Sequence, residues 1–106
     1  MQRCSDDITL MPMPDEEAKQ LAEFLKVFGD PDRIRILELL KDREVCVGHI
    51  AGALNKTVSA VSHQLSIMRR QRLVRYVKDG KNIYYTLDDD HVVKLLDAAT
   101  EHIHHF

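Results

Sequence analysis

The sequence predicts a mainly α-helical (α+β) winged helix-turn-helix domain with five helices and a two-stranded β-hairpin before the last helix. Three observations predict this fold class. Apolar residues recur at helical spacing along most of the 106 residues. The period then changes to alternation around a single turn signal, and only a few residues separate the third and fourth helical segments.

The first two helices are marked by acidic residues, proline and glycine. Residues 1–14 predict a flexible N-terminal arm because they contain two prolines, so the folded domain is expected to span residues 15–106. The first helix starts at Asp15 and ends at Gly29. Asp30 suits the start of the second helix, because aspartate accepts hydrogen bonds from free backbone N–H groups.

A helix-turn-helix follows these two helices. The segment VCVGHIAGALN predicts a shorter third helix that ends at Asn55. Thr57 is a suitable N-cap for the fourth helix. Within that helix Val61, Leu65 and Met68 recur at i, i+4 and i+7, which predicts a face directed at the core.

The fourth helix and the hairpin carry the side chains expected to contact DNA. Small hydroxyl groups and an imidazole on one helix face allow close approach to base edges in a major groove. The segment RLVRYVKDGKNIYYTL predicts two strands around Asp79-Gly80, and its basic side chains would reach phosphates. The predicted DNA-binding residues are Thr57, Ser59, Ser62 and His63 on the helix and Arg75, Lys78 and Lys81 on the hairpin.

The charge distribution supports this interpretation, although the whole chain has a formal net charge of −2. The segment from Lys56 to Lys81 contains seven basic residues and one acidic residue, which gives +6. The rest of the chain contains eight basic and sixteen acidic residues, which gives −8. A basic module on an acidic body is typical of a surface that binds nucleic acid.

Composition excludes several other classes of protein. A hydrophobic content of 44% with 30% charged residues is that of an ordinary globular domain. No apolar run reaches the roughly 18 residues of a membrane span, and the N-terminus lacks a signal pattern, so we expect a cytoplasmic protein with no membrane partner. Two cysteines do not make a disulfide framework and are expected to be free thiols or metal ligands.

Together these segments resemble a known family. SAVSHQL in the fourth helix, the YVKDGKNIYYTL hairpin, and FGDPDRIRILELL and VCVGHIAGAL upstream are similar to the ArsR/SmtB family of homodimeric winged-helix metal-sensing repressors. The resemblance implies a homodimer that occupies double-stranded operator DNA without metal and leaves it when metal binds. Val58 departs from the pattern, because relatives often have a polar side chain there, so the base preference stays open.

Two pairs of metal-type side chains lie at opposite ends of the last predicted helix. Asp89 and His91 are near its start, and His102 and His105 are near its end. From His91 to His102 the helix makes about three turns and rises about 16 Å, so the pairs share a face but cannot surround one ion. An antiparallel second copy would complete two identical four-ligand sites, for which carboxylate and imidazole are suitable zinc ligands.

The resemblance supports the same ligand set, since three histidines and one aspartate in this pattern belong to the zinc and cobalt sensors of the family. Zn²⁺ is therefore the expected effector, with Co²⁺ or Ni²⁺ as alternatives, and nickel could also recruit His104. Residues available for the dimer seam are Val92, Leu95, Leu96 and Ala99. The competing interpretation is that the terminal histidines form a solvated tail and the aspartates only offset the helix dipole.

A second candidate metal or thiol site involves the cysteines. Cys46 and His49 are expected three residues apart on the third helix, and Cys4 could reach them from the N-terminal arm. The soft-metal sensors that the site resembles usually have Cys-x-Cys where this chain has Cys46-Val47-Gly48, so one ligand is missing. A free cysteine is also a common core residue.

A metal-responsive repressor is the function that these patterns favour, rather than an enzyme. In this hypothesis metal bridging the last helices locks a dimer shape that fits DNA poorly. A thiol-based regulator using Cys46 and Cys4 on the same fold is the alternative. A small metallohydrolase is less favoured because four ligands leave no open position, and a constitutive DNA-binding protein would show no metal response.

Overall fold

Five helices and a three-stranded antiparallel sheet make up the part of the chain that the structure describes, residues 8–105 of a computed structural model. The helices are α1 (Asp15–Lys26), α2 (Pro31–Leu39), α3 (Val47–Leu54), α4 (Val58–Arg70) and α5 (Asp90–His104). The strands are β1 (Val45–Cys46), β2 (Val74–Asp79) and β3 (Asn82–Leu87). The predicted winged helix-turn-helix is confirmed, with α3 and α4 as the helix-turn-helix and β2 and β3 as the wing.

Side-chain caps fix the starts of α2 and α4 as the sequence predicts. The Asp30 carboxylate accepts a hydrogen bond from the backbone N–H of Arg33 at 3.0 Å, and the Thr57 hydroxyl accepts one from Ala60 N–H at the same distance. Each cap satisfies a backbone donor that the helix itself leaves free. The turn between α3 and α4 is set by Asn55, whose φ of 54° lies in the left-handed region.

The sheet contains one strand more than the sequence predicts. β1 pairs antiparallel with β3, with Val45 opposite Tyr85, and the strand order is β1-β3-β2. Helix α3 consequently begins at Val47, so the expectation that Cys46 lies on this helix is wrong. Valine suits a pleated strand, but a strand of two residues is too short to leave a periodic signal in the sequence.

The remaining element boundaries are close to those expected. The first helix ends at Lys26 instead of Gly29, and a single 3₁₀ turn over Val27–Gly29 leads into α2. The hairpin turn consists of Gly80 and Lys81, and Gly80 has a φ of 63° that glycine adopts without steric cost.

The core lies where α2, α3, α4 and the root of the wing meet. The predicted inner face of α4 is confirmed, because Val61, Leu65 and Met68 are all at most 2% exposed. Val74 and Leu87, which pair at the root of the wing, are also buried. No polar side chain is buried among residues 8–105, so apolar packing alone fills this core.

Helices α1 and α5 differ in what they contribute to the core. α1 has no buried residue, and Leu21 and Leu25 on it are 44% and 43% exposed. On α5, Val92 and Leu96 are 5% and 4% exposed because they pack in the core of their own chain. The prediction that these two residues line a dimer seam is therefore wrong.

The Asp30 cap can be tested by substitution. We expect Asp30→Ala to lower the free energy of unfolding by about 1 kcal/mol, because Arg33 N–H loses its acceptor at the start of α2. Asp30→Asn should stay close to wild type, since asparagine caps a helix equally well. Urea denaturation followed by circular dichroism measures both, and equal stability of the alanine variant would contradict the role of the cap.

Candidate DNA-binding surface and metal-ligand pairs

The outer face of α4 presents the polar side chains that the sequence singled out. Ser59, Ser62 and His63 are exposed, opposite the buried face of the same helix. The Thr57 hydroxyl accepts the hydrogen bond from Ala60 N–H, so its first role is to start the helix. Val58, the first residue of α4, is 51% exposed, which places an apolar side chain on a helix face that is otherwise polar.

Arg33 holds α4 against the end of α1. Its side-chain Nε donates to the carbonyl of Val27 at 2.7 Å, and its Nη1 donates to Gln64 Oε1 at 3.2 Å. Because Gln64 lies on α4 and Val27 lies just after α1, one guanidinium group joins these two elements. Sequence reasoning missed this contact, since Arg33 and Gln64 are 31 residues apart.

The wing carries the predicted basic residues on its exposed surface. Arg75, Lys78 and Lys81 are all exposed, and Lys81 lies in the turn itself. Lys78 pairs with Ile83, one residue pair before the turn. The ammonium groups of Lys78 and Lys81 therefore both belong to the end of the hairpin that is furthest from the core. Exposed lysines at the end of a hairpin suit contacts with phosphates.

The junction between α4 and the wing is a tight backbone turn. Arg72 has a φ of 58°, in the left-handed region that few side chains other than glycine favour. The N–H of Arg72 donates to the carbonyl of Arg69 at 3.0 Å, and the N–H of Leu73 donates to Met68 at 2.9 Å. This pair of hydrogen bonds is a Schellman motif, which ends the helix abruptly and starts β2 within three residues.

An aromatic contact spans the same junction. The Arg69 guanidinium carbon lies 4.4 Å from the centroid of the Tyr76 ring, so the last turn of α4 contacts the middle of β2. Tyr76 meets Tyr85 of β3 edge-on, with centroids 6.1 Å apart. Sequence reasoning missed both contacts, because Arg69 and Tyr76 belong to elements with different periods and their approach depends on the turn between them.

Asp89 and His91 form the first donor pair, at the start of α5. Asp89 is the N-cap of the helix, and its Oδ1 accepts hydrogen bonds from His91 N–H at 2.8 Å and Val92 N–H at 3.4 Å. His91 Nδ1 lies 3.4 Å from the same oxygen, and its side chain is 91% exposed. Partial desolvation raises the pKa of Asp89, but the hydrogen bonds from His91 and Val92 and the charge of His91 together outweigh it and hold that pKa below its ordinary value.

The second donor pair, His102 and His105, lies at the other end of α5. Both side chains are exposed, and His105 Nε2 is 3.6 Å from Glu101 Oε1. Glu101 was not predicted, although a carboxylate four residues before a histidine on a helix is in reach of it. Within residues 8–105 of a single chain, no three histidine, cysteine or acidic side chains form a group that could hold a metal ion.

The start of α5 is joined to the end of α4 by the backbone. The N–H of Asp88 donates to the carbonyl of Leu73 at 3.0 Å, directly beside the Schellman turn. Beside this hydrogen bond, Arg72, Asp89 and His91 line one cleft. The first donor pair is therefore one backbone hydrogen bond away from the junction between α4 and the wing.

The middle of α5 is tied to α2 by an ion pair. Lys41 Nζ contacts Asp97 Oδ1 at 2.5 Å and Glu38 Oε2 at 3.4 Å. The hydrogen bond to Asp97 is the main cause that raises the pKa of Lys41 above its ordinary value. His104 and His105 line the same open cleft, so one member of the second donor pair lies beside His104 next to α2.

The thiol site is not assembled in the described part of the chain. Cys46 is a half-buried free cysteine at the end of β1, whereas His49 is exposed on α3. Cys4 lies outside the described residues. No helix in residues 8–105 is long and apolar enough to span a membrane.

Residues 30–76 match the family described as "Bacterial regulatory protein, arsR family". The chain is 44% identical over 88 residues to the transcriptional repressor SmtB homolog of Synechocystis sp., which covers 83% of this chain and 67% of that protein. It is 32% identical over 83 residues to the cadmium resistance transcriptional regulatory protein CadC homolog of Staphylococcus aureus, with 77% and 69% covered.

Solved structures agree with these sequence relationships. The structure of Rv0081 from M. tuberculosis superposes with a TM-score of 0.82 at 32% identity, covering 87% of this chain and 93% of that one. A homodimeric winged helix-turn-helix DNA-binding domain, Mb0332 from Mycobacterium bovis, superposes with a TM-score of 0.74 at 26% identity, covering 86% and 87%. With its capped helix-turn-helix and its basic wing, the chain belongs to the arsR family of bacterial regulatory proteins and is a DNA-binding transcriptional regulator, as the relatives that it matches are named.

Proposed function

We propose that the protein is a metal-responsive repressor in the cytoplasm that binds operator DNA as a metal-free homodimer and is released when Zn²⁺ binds between the α5 helices of its two chains. The observation that carries this proposal is the placement of two donor pairs at opposite ends of α5. Asp89 with His91 and His102 with His105 are too far apart to share an ion within one chain. An antiparallel partner would complete two sites of four ligands each.

Exposed apolar surface supports the homodimer. Leu21 and Leu25 of α1 and Ile103 of α5 are between 43% and 64% exposed. Leu25 and Ile103 also line a groove that lies between α1, α2 and α5, with Leu95 and Ala99 along one side. Contiguous apolar surface of this kind marks a protein interface, and the similar Mb0332 domain is described as homodimeric.

The DNA contacts follow from the exposed faces of α4 and the wing. In this proposal Ser59, Ser62 and His63 enter the major groove, while Arg75, Lys78 and Lys81 neutralise phosphates beside it. Thr57 holds the start of α4 in place through its cap. The basic segment between Lys56 and Lys81 provides the long-range attraction.

Metal binding can reach the DNA surface by a short route. Asp89 is both the cap of α5 and a proposed ligand, and its neighbour Asp88 donates to Leu73 at the end of the α4 junction. A metal ion that fixes Asp89 and His91 would therefore fix the relative position of α5 and α4. Such coupling is reciprocal and typically amounts to about 1–3 kcal/mol, so DNA would weaken metal binding by the same factor.

The donor set favours a particular group of metals. Three imidazoles and one carboxylate suit tetrahedral Zn²⁺, and Co²⁺ accepts the same geometry. Ni²⁺ prefers more ligands than the four proposed here. The CadC homolog is named for cadmium resistance, but the two donor pairs on α5 contain no thiolate, which the softer metals select.

Zinc titration of the protein on operator DNA tests the proposal. We expect saturating Zn²⁺ to weaken operator affinity by roughly 5- to 150-fold in wild type, the range of typical allosteric couplings, as measured by fluorescence anisotropy. His102→Ala should abolish this response because it removes one ligand from each shared site. His104→Ala is the matched control and should respond as wild type, since two residues at about 100° each place His104 on the opposite side of α5 from His102.

Two results of this titration would contradict the proposal. One is a wild-type operator affinity that does not change with Zn²⁺. The other is a full zinc response in the His102→Ala protein.

The two roles of Asp89 can be separated by substitution. Asp89→Asn keeps a side-chain oxygen for the N–H groups of His91 and Val92, so we expect thermal stability close to wild type. Asp89→Ala should lower the melting temperature because it removes the cap. Both variants should bind Zn²⁺ at least about tenfold more weakly, a loss that even changes in the outer shell can produce.

Competition with a chromophoric chelator measures the zinc affinity of the two Asp89 variants. Wild-type zinc affinity in Asp89→Asn would exclude Asp89 as a ligand while leaving its role as a cap intact.

A further inference from the structure

The two strands of the wing are held to the body unequally. On β3, Tyr85 packs against the core and pairs with Val45 of β1. Val74 and Leu87 are buried where β2 and β3 begin to separate from the body, but β2 is an edge strand and five of its six residues are not buried. Core packing and the pairing with β1 therefore hold β3, whereas β2 has no buried residue beyond Val74. A contact between β2 and α4 would hold this edge strand at one angle to the helix.

Arg69 and Tyr76 supply that contact. The guanidinium carbon lies 4.4 Å from the ring centroid, well within the distance of about 6 Å at which a cation and an aromatic face attract. Tyr76 is two residues beyond Val74 on β2, so the contact lies between the buried root and the tip. Arg69 lies in the last turn of α4, three residues before the left-handed Arg72.

The Tyr76 ring is itself supported by the rest of the sheet. It meets Tyr85, its register partner on β3, with an interplanar angle of 60°. Tyr85 in turn pairs with Val45 of β1, which joins the wing to the start of α3. Arg69 thus contacts a ring whose position is already determined on its other side.

We propose that Arg69 and Tyr76 are positioning residues that set the angle between α4 and the wing, so that Lys78 and Lys81 reach phosphates while α4 occupies the major groove. The proposal rests on the DNA contacts proposed for the wing. It assigns Arg69 to the junction and not to direct recognition of DNA. It also explains why an aromatic residue stands on the exposed face of an edge strand, where Tyr76 is 38% exposed.

The experiment compares wing substitutions with substitutions in the Arg69–Tyr76 contact, alone and combined. The probe is a duplex of about 30 base pairs, long enough for two half-sites, selected in vitro with the wild-type protein in zinc-free buffer. Lys78→Ala/Lys81→Ala should weaken binding about tenfold and reduce the slope of log affinity against log salt by about two phosphate contacts per chain, or about four for the dimer. Tyr76→Leu should produce a similar loss of affinity and of slope.

The decisive result is whether the losses of DNA affinity from Tyr76→Leu and from Lys78→Ala/Lys81→Ala depend on each other. If the contact acts by placing the wing lysines, then adding Tyr76→Leu to the double lysine variant should cause little further loss, because the wing no longer has contacts to misplace. Tyr76→Phe keeps the ring face and should bind within about twofold of wild type. A loss of general stability would not produce this pattern of coupling and rescue.

Arg69→Gln and Arg70→Gln form a matched pair that separates position from charge. Both remove one positive charge from neighbouring exposed residues at the end of α4, but only Arg69 lies over Tyr76. Arg69→Gln should weaken DNA binding more than Arg70→Gln does, and the two should become equal in the Tyr76→Leu background. Circular dichroism at the assay temperature checks that each variant is folded.

The possible failures of this proposal are distinguishable from one another. If the losses from Tyr76→Leu and the lysine substitutions multiply, or if Arg69→Gln and Arg70→Gln are equal in the wild-type background, the positioning role is wrong and the wing contacts stand. If the double lysine variant binds DNA as wild type does, the proposed wing contacts are wrong and the positioning role falls with them. The zinc response is measured separately and is unaffected by either result.

Discussion

The packing of one face of α4 is the constraint on which the DNA surface depends. Val61, Leu65 and Met68 are almost completely buried, and they fix the rotation of α4 about its own axis. The polar side chains of the opposite face must then point outward, whatever else the chain does. The hydrogen bonds of Arg33 fix the tilt of α4 toward the end of α1. The Schellman turn at Arg72 fixes the point at which α4 ends.

Different faces of helix α5 serve two purposes. Its inner residues Val92 and Leu96 complete the core of their own chain, so only its other faces are available to a partner. Asp88, two residues before α5, connects to Leu73 through a backbone hydrogen bond, and the middle of α5 is held to the end of α2 through Asp97 and Lys41. The start of α5 is therefore linked directly to the junction between α4 and the wing.

Local signals predicted most of the fold, whereas contacts between elements could not be predicted from the sequence. Caps such as Asp30 and Thr57 act over three residues, and the core face of α4 follows from periodicity, so both are visible in the sequence. The strand at Val45 is too short for a pattern. The contact of Arg69 with Tyr76 depends on the path of the chain at Arg72. The donor pairs on α5 stay a prediction from residue type and spacing, and helix geometry adds only that the two pairs of one chain cannot share an ion.

The wide spacing of the donor pairs along α5 has a genetic consequence. In a shared site of the proposed kind, one chain supplies Asp89 and the other supplies His102. Consider two alleles, one that lacks Asp89 and one that lacks His102, expressed in the same cell. In a dimer with one chain of each kind, both substitutions fall in the same shared site. The other site keeps all four ligands. Complementation between alleles would distinguish such a regulator from one that holds its whole ligand set in a single chain.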